Sequence, residues 1–305
     1  MIDKALNYEN AAERMSKELA NEIYGAGMFS ISKLENYVSC PFSYFVNYGL
    51  KAKDREVYEF SPMDSGIYSH KLLDDFSKRV MINGVEWTDI DESYIKSEVD
   101  KISEKIIEDR KGYILKSSEK HKYLAERINR NLVESLHIMS EQIRRGDFIP
   151  ENFEVEFGFK GDIEPIRYKL DDGKAIILTG KIDRVDKYND GEVDYVRVID
   201  YKSSTKNLDM DKIMAGIQMQ LFVYMSAVLK SNKKLKKEDS INNQKLNSKP
   251  AALLYSRFNP IKSKLSGLEE AESMTEKDLE NTILNENKLS GFIIKDKEVI
   301  KHLDK

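Results

Sequence analysis

Asp183, Asp200 and Lys202 are the residues of this 305-residue chain whose types and spacing could do chemistry together. Two β-branched, apolar runs, Ile176 to Lys187 and Val193 to Tyr201, flank Asn189-Asp190-Gly191, which is a strong tight-turn signal and predicts a β-hairpin. With Asp190-Gly191 as a two-residue loop, Asn189 pairs with Glu192, Asp183 falls opposite Val198, and Lys181 opposite Asp200. Residues directly opposite, or two apart on one strand, share a face, so Asp183, Asp200 and Lys202 project together. Diagonal carboxylates roughly 7–8 Å apart at the backbone can both reach a hard cation, and Mg²⁺ or Mn²⁺ is the natural occupant. Such a cation acidifies a bound water and offsets charge on a phosphodiester. Lys202 could hold or deprotonate that water where the local field lowers its pKa. The same spacing also fits a hairpin on which Asp183, Arg184 and Asp186 are solvated charges of an outer face.

The segments Gly180-x-Ile182-Asp183-Arg184-x-Asp186, Ile199-Asp200-Tyr201-Lys202-Ser203-Ser204 and Gln220-Leu221-x-x-Tyr224 resemble the core of the RecB-type branch of the PD-(D/E)xK nucleases. That resemblance implies an α/β fold with a restriction-endonuclease-like core: a mixed central sheet flanked by helices, with a helical insertion. It implies that Asp183 and Asp200 bind metal, that Lys202 is catalytic, and that the Tyr201 backbone carbonyl completes the metal shell. Gln220 and Tyr224, four apart on a helical stretch and so on one face, would line the DNA path. The family also uses a histidine on an upstream helix. Here Asp64 or Ser65 reads as the cap of a helix whose apolar residues are Ile67, Leu72, Leu73, Phe76 and Val80. Its Gly66-x-x-x-His70 matches the family helix, implying His70 as a metal ligand through neutral imidazole, in competition with protons near and below pH ~6.5.

Nearer the N-terminus, Ser32 and Glu35 read as a capping box opening a short helix that Pro41 interrupts. The aromatics Tyr37, Phe42, Tyr44, Phe45 and Tyr48 read as core. Ser32-x-Leu34-Glu35-x-Tyr37-x-x-Cys40-Pro41-Phe42-x-Tyr44-Phe45 is similar to the segment opening the nuclease domain of AddB-type components of bacterial helicase-nucleases. In that family a cysteine here joins three from the far C-terminus on a [4Fe–4S] cluster. Cys40 is the single cysteine of this chain, and a four-iron cluster takes four thiolates. The expectation is therefore a fragment cut short of the remaining ligands, or a natural cluster-less form, iron-free and with mobile ends. The alternative is Cys40 as a small packed core residue.

Composition narrows the rest. Hydrophobic residues make up 40% and charged residues 33% of the chain, at a formal net charge of −4, so a buried core is within reach and DNA contact must be local rather than wholesale. No apolar run approaches the ~18–20 residues of a membrane span, and the first twenty residues are too charged for a signal peptide. Cytoplasm is the expectation. No Walker-type loop is present, which leaves any motor to a partner such as an AddA-like helicase-nuclease subunit, with DNA as the other partner.

The positioning elements follow from periodicity. A helical pattern runs from Tyr8 to Tyr24. Two charged helices occupy Asp91 to Arg145, broken near Lys116 to Ser118, with Leu124, Ile128, Leu132, Leu136 and Met139 at helical spacing. Phe153 to Phe159 alternates as a strand with Glu154 and Glu156 on its polar face, which reads first as a solvated face; in nucleases of this kind an acid ahead of the hairpin can assist the metals, which makes Glu156 a candidate. Leu208 to Lys230 reads as one helix, Ser231 to Lys249 as a flexible insertion, Pro250 to Phe258 as a buried strand, and helices are expected at Thr275 to Asn285 and from Lys297, with no evident closing element. The organisation expected is one nuclease domain over 1–305: N-terminal helices and the Cys40 segment in 1–60, a helical region with His70 in 61–147, the catalytic sheet and helix in 150–230, the insertion in 231–249, and a C-terminal strand and helices in 250–305. The function expected is a metal-dependent DNA exonuclease domain of double-strand-break repair. The alternatives are a non-catalytic DNA-binding or scaffold subunit of the same fold, or a free-standing exonuclease of the CRISPR-adaptation type.

Overall fold

The computed structural model describes residues 14–24, 27–53, 61–108, 118–171, 173–238, 247–259 and 275–303. Along the chain lie α1 (Lys17–Tyr24), β1 (Met28–Ser30), α2 (Ile31–Ser39), α3 (Pro41–Tyr44), α4 (Pro62–Ile82), α5 (Glu92–Glu108), α6 (Glu119–Arg144), β2 (Ile149–Phe157), β3 (Ile166–Lys169), β4 (Ala175–Asn189), β5 (Val193–Lys202), α7 (Met210–Met214), α8 (Gln220–Glu238), β6 (Asn247–Arg257), α9 (Glu276–Glu286), β7 (Ser290–Ile293) and α10 (Lys297–Leu303). The seven strands form one mixed sheet in the order β1-β4-β5-β6-β7, with β2 and β3 also paired to β4. β1–β4 and β5–β6 are parallel and the remaining pairs antiparallel.

Helices cover both faces because each face of the sheet is apolar. On one side α4, α5 and α6 bring Leu72, Phe76, Ile95, Ile102, Leu132 and Leu136 against Ile199, Tyr201, Ala252 and Leu254. On the other, α8 and Ile31 pack Leu221, Tyr224 and Val228 against Val155, Ile182, Val196 and Val198. Each fully buried Leu, Ile or Phe contributes about 1.5–3 kcal/mol, and the helical spacing of these residues is what selects the buried stripe of each helix. Among the described residues, no helix is long and apolar enough to cross a membrane.

The hairpin forms, but two residues out of the expected register. Asn189 pairs with Asp194 and Val185 with Val198. The Asp190 carboxylate accepts from the Glu192 and Val193 amides at 2.8 and 2.7 Å, and this side-chain turn lengthens the loop. Because the slip is even, the facing of every side chain is preserved. The outer-face alternative fails: Arg184, Asp186 and Arg197 are all buried. Asp186 accepts from Arg184 Nε and Nη2 (2.6 and 2.7 Å) and from Arg197 Nε (2.5 Å).

Several local expectations are corrected. Ser30, not Ser32, caps α2, accepting from Lys33 N. Ser61 caps α4, with Asp64 closing the reciprocal capping box. Only Tyr44 of the five N-terminal aromatics is buried; Tyr37 and Phe42 are exposed. Ile67 is exposed too. Leu208 to Lys230 is two helices, because Gly216 turns the chain at φ +77°, a conformation costly for a residue with a Cβ. Helix α8 continues to Glu238 and β6 begins at Asn247, so the expected insertion is partly regular structure; 239–246 lie outside the described residues, as do 8–13 of the first predicted helix. The C-terminal helix α10 is docked: His302 Nδ1 lies 2.6 Å from Asp147 Oδ2, its Nε2 lies 3.0 Å from the Tyr188 hydroxyl, and the His302 and Tyr188 rings stack at 4.1 Å.

Candidate metal centre

Strand β4 leaves its ladder with β5 at the Arg184–Ile199 pair, so Asp183 and Asp200 are the next positions of that register, just past its end. Asp183 turns back on the neighbouring strand, its Oδ2 accepting from the Tyr201 amide at 2.7 Å. Its Oδ1 faces His70 Nδ1 on α4 at 3.7 Å, and the same nitrogen lies 3.7 Å from Glu154 Oε1 on β2. These separations exceed a hydrogen bond. The three ligand atoms lie within 4.8 Å of one another, leaving a gap bounded by two carboxylate oxygens and one imidazole nitrogen.

Asp200 stands beside this triad rather than in it. Its Oδ1 accepts from Gln220 Nε2 at 3.0 Å and its Oδ2 is ion-paired with the Lys202 ammonium. Gln220 also donates to the Tyr224 hydroxyl at 2.8 Å. The Tyr224 side chain is buried, set edge-on against Phe157, and so presents no open face to a base. Gly180 makes room for this packing: a Cβ there would come within 2.7 Å of the Phe157 ring and 3.4 Å of Tyr224. Cys40 is exposed and caps α3, its sulfur accepting from Ser43 N at 3.4 Å, so the reading of Cys40 as a packed core residue does not hold.

The electrostatics are those of an acid cluster short of positive charge. Burial, then the Asp200 charge, push the Asp183 carboxyl up to about 7. Burial disfavours the His70 imidazolium, yet Glu154 and Asp183 together raise it above the ordinary histidine value. Burial acts against Glu154 as well, but His70 and Lys181 hold its carboxyl below the usual range. Two half-buried carboxylates and an imidazole held at these separations are a donor set that fits a divalent cation of hard or borderline character.

Two residues of this site were not singled out in the sequence. Glu154, rather than Glu156, is the acid of β2 at the cluster: the pairs Phe153–Arg184 and Val155–Ile182 set it across from Asp183, while Glu156 pairs with Lys181 and is exposed. Lys181, expected opposite Asp200, ion-pairs with Glu154. The other is Glu35. Its Oε1 accepts from the Met219 and Gln220 amides at 2.6 and 2.9 Å, capping α8 from a segment nearly two hundred residues away. Alternation signals the face that Glu154 shares with Glu156; the choice between them needs the β2–β4 register.

The fold is thus a mixed sheet between helices, with two acids and a lysine at the end of its central hairpin. A protein-family model of the PD-(D/E)XK nuclease superfamily matches residues 28–297, and the chain belongs to that superfamily. Within it, the chain is 40% identical over 304 residues to the B subunit of the ATP-dependent helicase/deoxyribonuclease of Clostridioides difficile strain 630, covering 100% of this chain and 25% of that protein. It is 36% identical to the same-named protein of Clostridium perfringens strain SM101, over 99% of this chain and 25% of that protein. It is 37% identical to that of Thermoanaerobacter sp. strain X514, over 100% and 26%. The chain thus spans about a quarter of the length of the curated relatives it matches.

Proposed function

We propose that this chain is a Mg²⁺- or Mn²⁺-dependent DNA exonuclease domain, one domain over 1–305, working in the cytoplasm in double-strand-break repair as the nuclease part of a helicase-nuclease assembly. The motor would be supplied by an AddA-like partner or by further parts of a protein like its relatives. The observation that carries this reading is the convergence of one ligand atom each from His70, Glu154 and Asp183 within 4.8 Å, beside the ion pair of Asp200 and Lys202.

In this mechanism His70, Glu154 and Asp183 would hold the cation, with Asp200 and the Tyr201 carbonyl as further ligands. When bound, a divalent cation acidifies a water and offsets charge on the phosphate. Lys202 orients the attacking water by donating to it. Gln220, itself bonded to the Tyr224 hydroxyl, fixes the Asp200 carboxylate, which keeps one oxygen aimed at Lys202. Helix α8, capped by Glu35, holds Gln220 at that position, and Glu35 and Gln220 therefore act as positioning residues.

End-labelled single- and double-stranded DNA, digested in Mg²⁺, Mn²⁺ or EDTA, tests the reading. The wild-type chain is expected to cut only with metal. Asp200→Ala and Lys202→Ala are expected to retain circular dichroism and unfolding midpoints while losing about 10²–10⁴-fold in rate, the usual contribution of a positioned proton-transfer or water-orienting group. Wild-type-like cleavage by either variant would overturn the mechanism. DNA binding without cleavage in any divalent cation would favour a scaffold role.

A further inference from the structure

Beyond Lys202 the chain makes a short loop whose residues have no part in the mechanism above. It is tied down at several points: Asn259 Nδ2 donates to Ser203 O at 3.2 Å, Arg257 Nη1 to Thr205 Oγ1 at 2.6 Å, and Ser290 Oγ to Lys206 O at 2.6 Å. The β5–β6 register sets Tyr255 beside Asp200 and Arg257 beside Lys202, so both residues project from the active face of the sheet. Two ammonium groups lie over the ring of Tyr255, Lys202 at 5.8 Å and Lys206 at 5.0 Å from its centroid. Burial, then the neighbouring Lys202, hold the Lys206 ammonium below the usual lysine range against the opposing pull of Asp200 and Glu35. Arg257 Nε is buried with no hydrogen-bond partner among the described residues.

Two lysines thus gather over one ring with Arg257 beside Lys202 on the next strand, and among the described residues their one ion pair is Lys202 with Asp200. The carboxylates nearest Lys206 are already engaged, Asp200 by Lys202 and Glu35 by the α8 amides, so like charges gathered on a pinned loop cost free energy that a further anion relieves. Resting on the reading of Asp200 and Lys202 as nuclease residues, we propose that Lys206 and Arg257 hold a second backbone phosphate of the DNA strand, the neighbour of the one being cleaved. The Tyr255 ring sets the depth of the Lys206 stem, and the ties at Ser203, Thr205 and Lys206 fix the loop, so the cations are arranged before the strand arrives. Such a contact carries no sequence information and sets where the strand lies relative to the metal.

The test uses the 305-residue chain and short single-stranded oligonucleotides in which one phosphate at a time is replaced by a neutral methylphosphonate, with binding read in Ca²⁺. For the wild type, affinity should fall about tenfold at one position adjacent to the cleaved bond, the loss of one charge-assisted contact. Lys206→Ala should bind the unmodified strand about tenfold more weakly, lower the salt slope by about 0.7, and show no further loss at that position. Lys206→Arg should restore the footprint. Lys206→Gln, which keeps the stem over Tyr255 and removes only the charge, gives the same reading if Lys206→Ala fails to fold. Unchanged affinity and slope, or a wild-type footprint in both neutral variants, would overturn the proposal. Cleavage in Mg²⁺ is scored separately. Cutting without a Lys206 footprint removes this subsite alone, whereas a footprint without cutting in any divalent cation removes the nuclease reading and leaves the subsite.

Discussion

Glu154 holds φ at +51°, in the left-handed region that costs an L side chain roughly 1–2 kcal/mol. Strain of this kind persists where the surroundings over-determine it. Here the β2–β4 pairs on both sides and the Lys181 ion pair keep the Glu154 carboxylate facing His70. Glu154→Gln should therefore weaken Mn²⁺ binding by roughly 10–100-fold, the usual scale for altered metal surroundings, while Glu156→Gln, exposed across from Lys181, should leave it as in the wild type. Isothermal titration with Mn²⁺ separates the two; equal losses would mean that β2 contributes only general negative charge.

At the scale of elements, the site depends on one cap and one buried ion network. Removing Glu35 leaves two amides at the start of α8 without an acceptor and takes an anion from the positive end of the helix. Glu35→Ala is expected to cost about 0.5–2 kcal/mol of stability and to lower cleavage through a displaced Gln220. Glu35→Gln, which still accepts from both amides, should recover most of the rate; a rate equal to wild type in Glu35→Ala would show that Gln220 needs no support from α2. Behind the metal site, Asp186→Ala strands two buried guanidinium groups, which should destabilise by roughly 3–5 kcal/mol in urea unfolding at neutral pH. The pH dependence has a definite sign. Burial opposes the Asp186 charge, but Arg184 and Arg197 hold its carboxyl below the ordinary value. Its contribution is thus fully present above the unfolded value of about 3.9 and is lost as pH falls through the lower folded value. Acid unfolding of Asp186→Asn should accordingly be shallower than that of the wild type below about pH 4.

For the molecule as a whole, α10 closes the sheet at the turn end of the hairpin, away from the metal site. Tyr188 on β4, Asp147 ahead of β2 and His302 on α10 meet there, and Asp147 N donates to His302 O at 2.8 Å. His302→Ala should cost about 1–2 kcal/mol and raise amide exchange across 297–303 more than in the β4–β5 hairpin. Mn²⁺ affinity should not follow it. Coupled loss of metal binding would mean that the C-terminal helix and the site form one cooperative unit.

The pieces legible in the sequence were those fixed by local chemistry. The turn at Asn189 to Gly191, the alternation that sets Asp183, Asp200 and Lys202 to one facing, and the stripes of α4 and α6 depend on neighbours a few residues away. Even the slipped register did no harm, since an even shift keeps every side chain on its face. What only the tertiary structure decided were partnerships across long separations. Glu154 was chosen over Glu156 by the β2–β4 register. Arg184, Asp186 and Arg197 became core because helices cover the face they occupy. Glu35 left the local capping box expected with Ser32 and capped α8 instead. In each case the partner of a polar group lies far away in the chain, and only the packing of distant elements brings the two together.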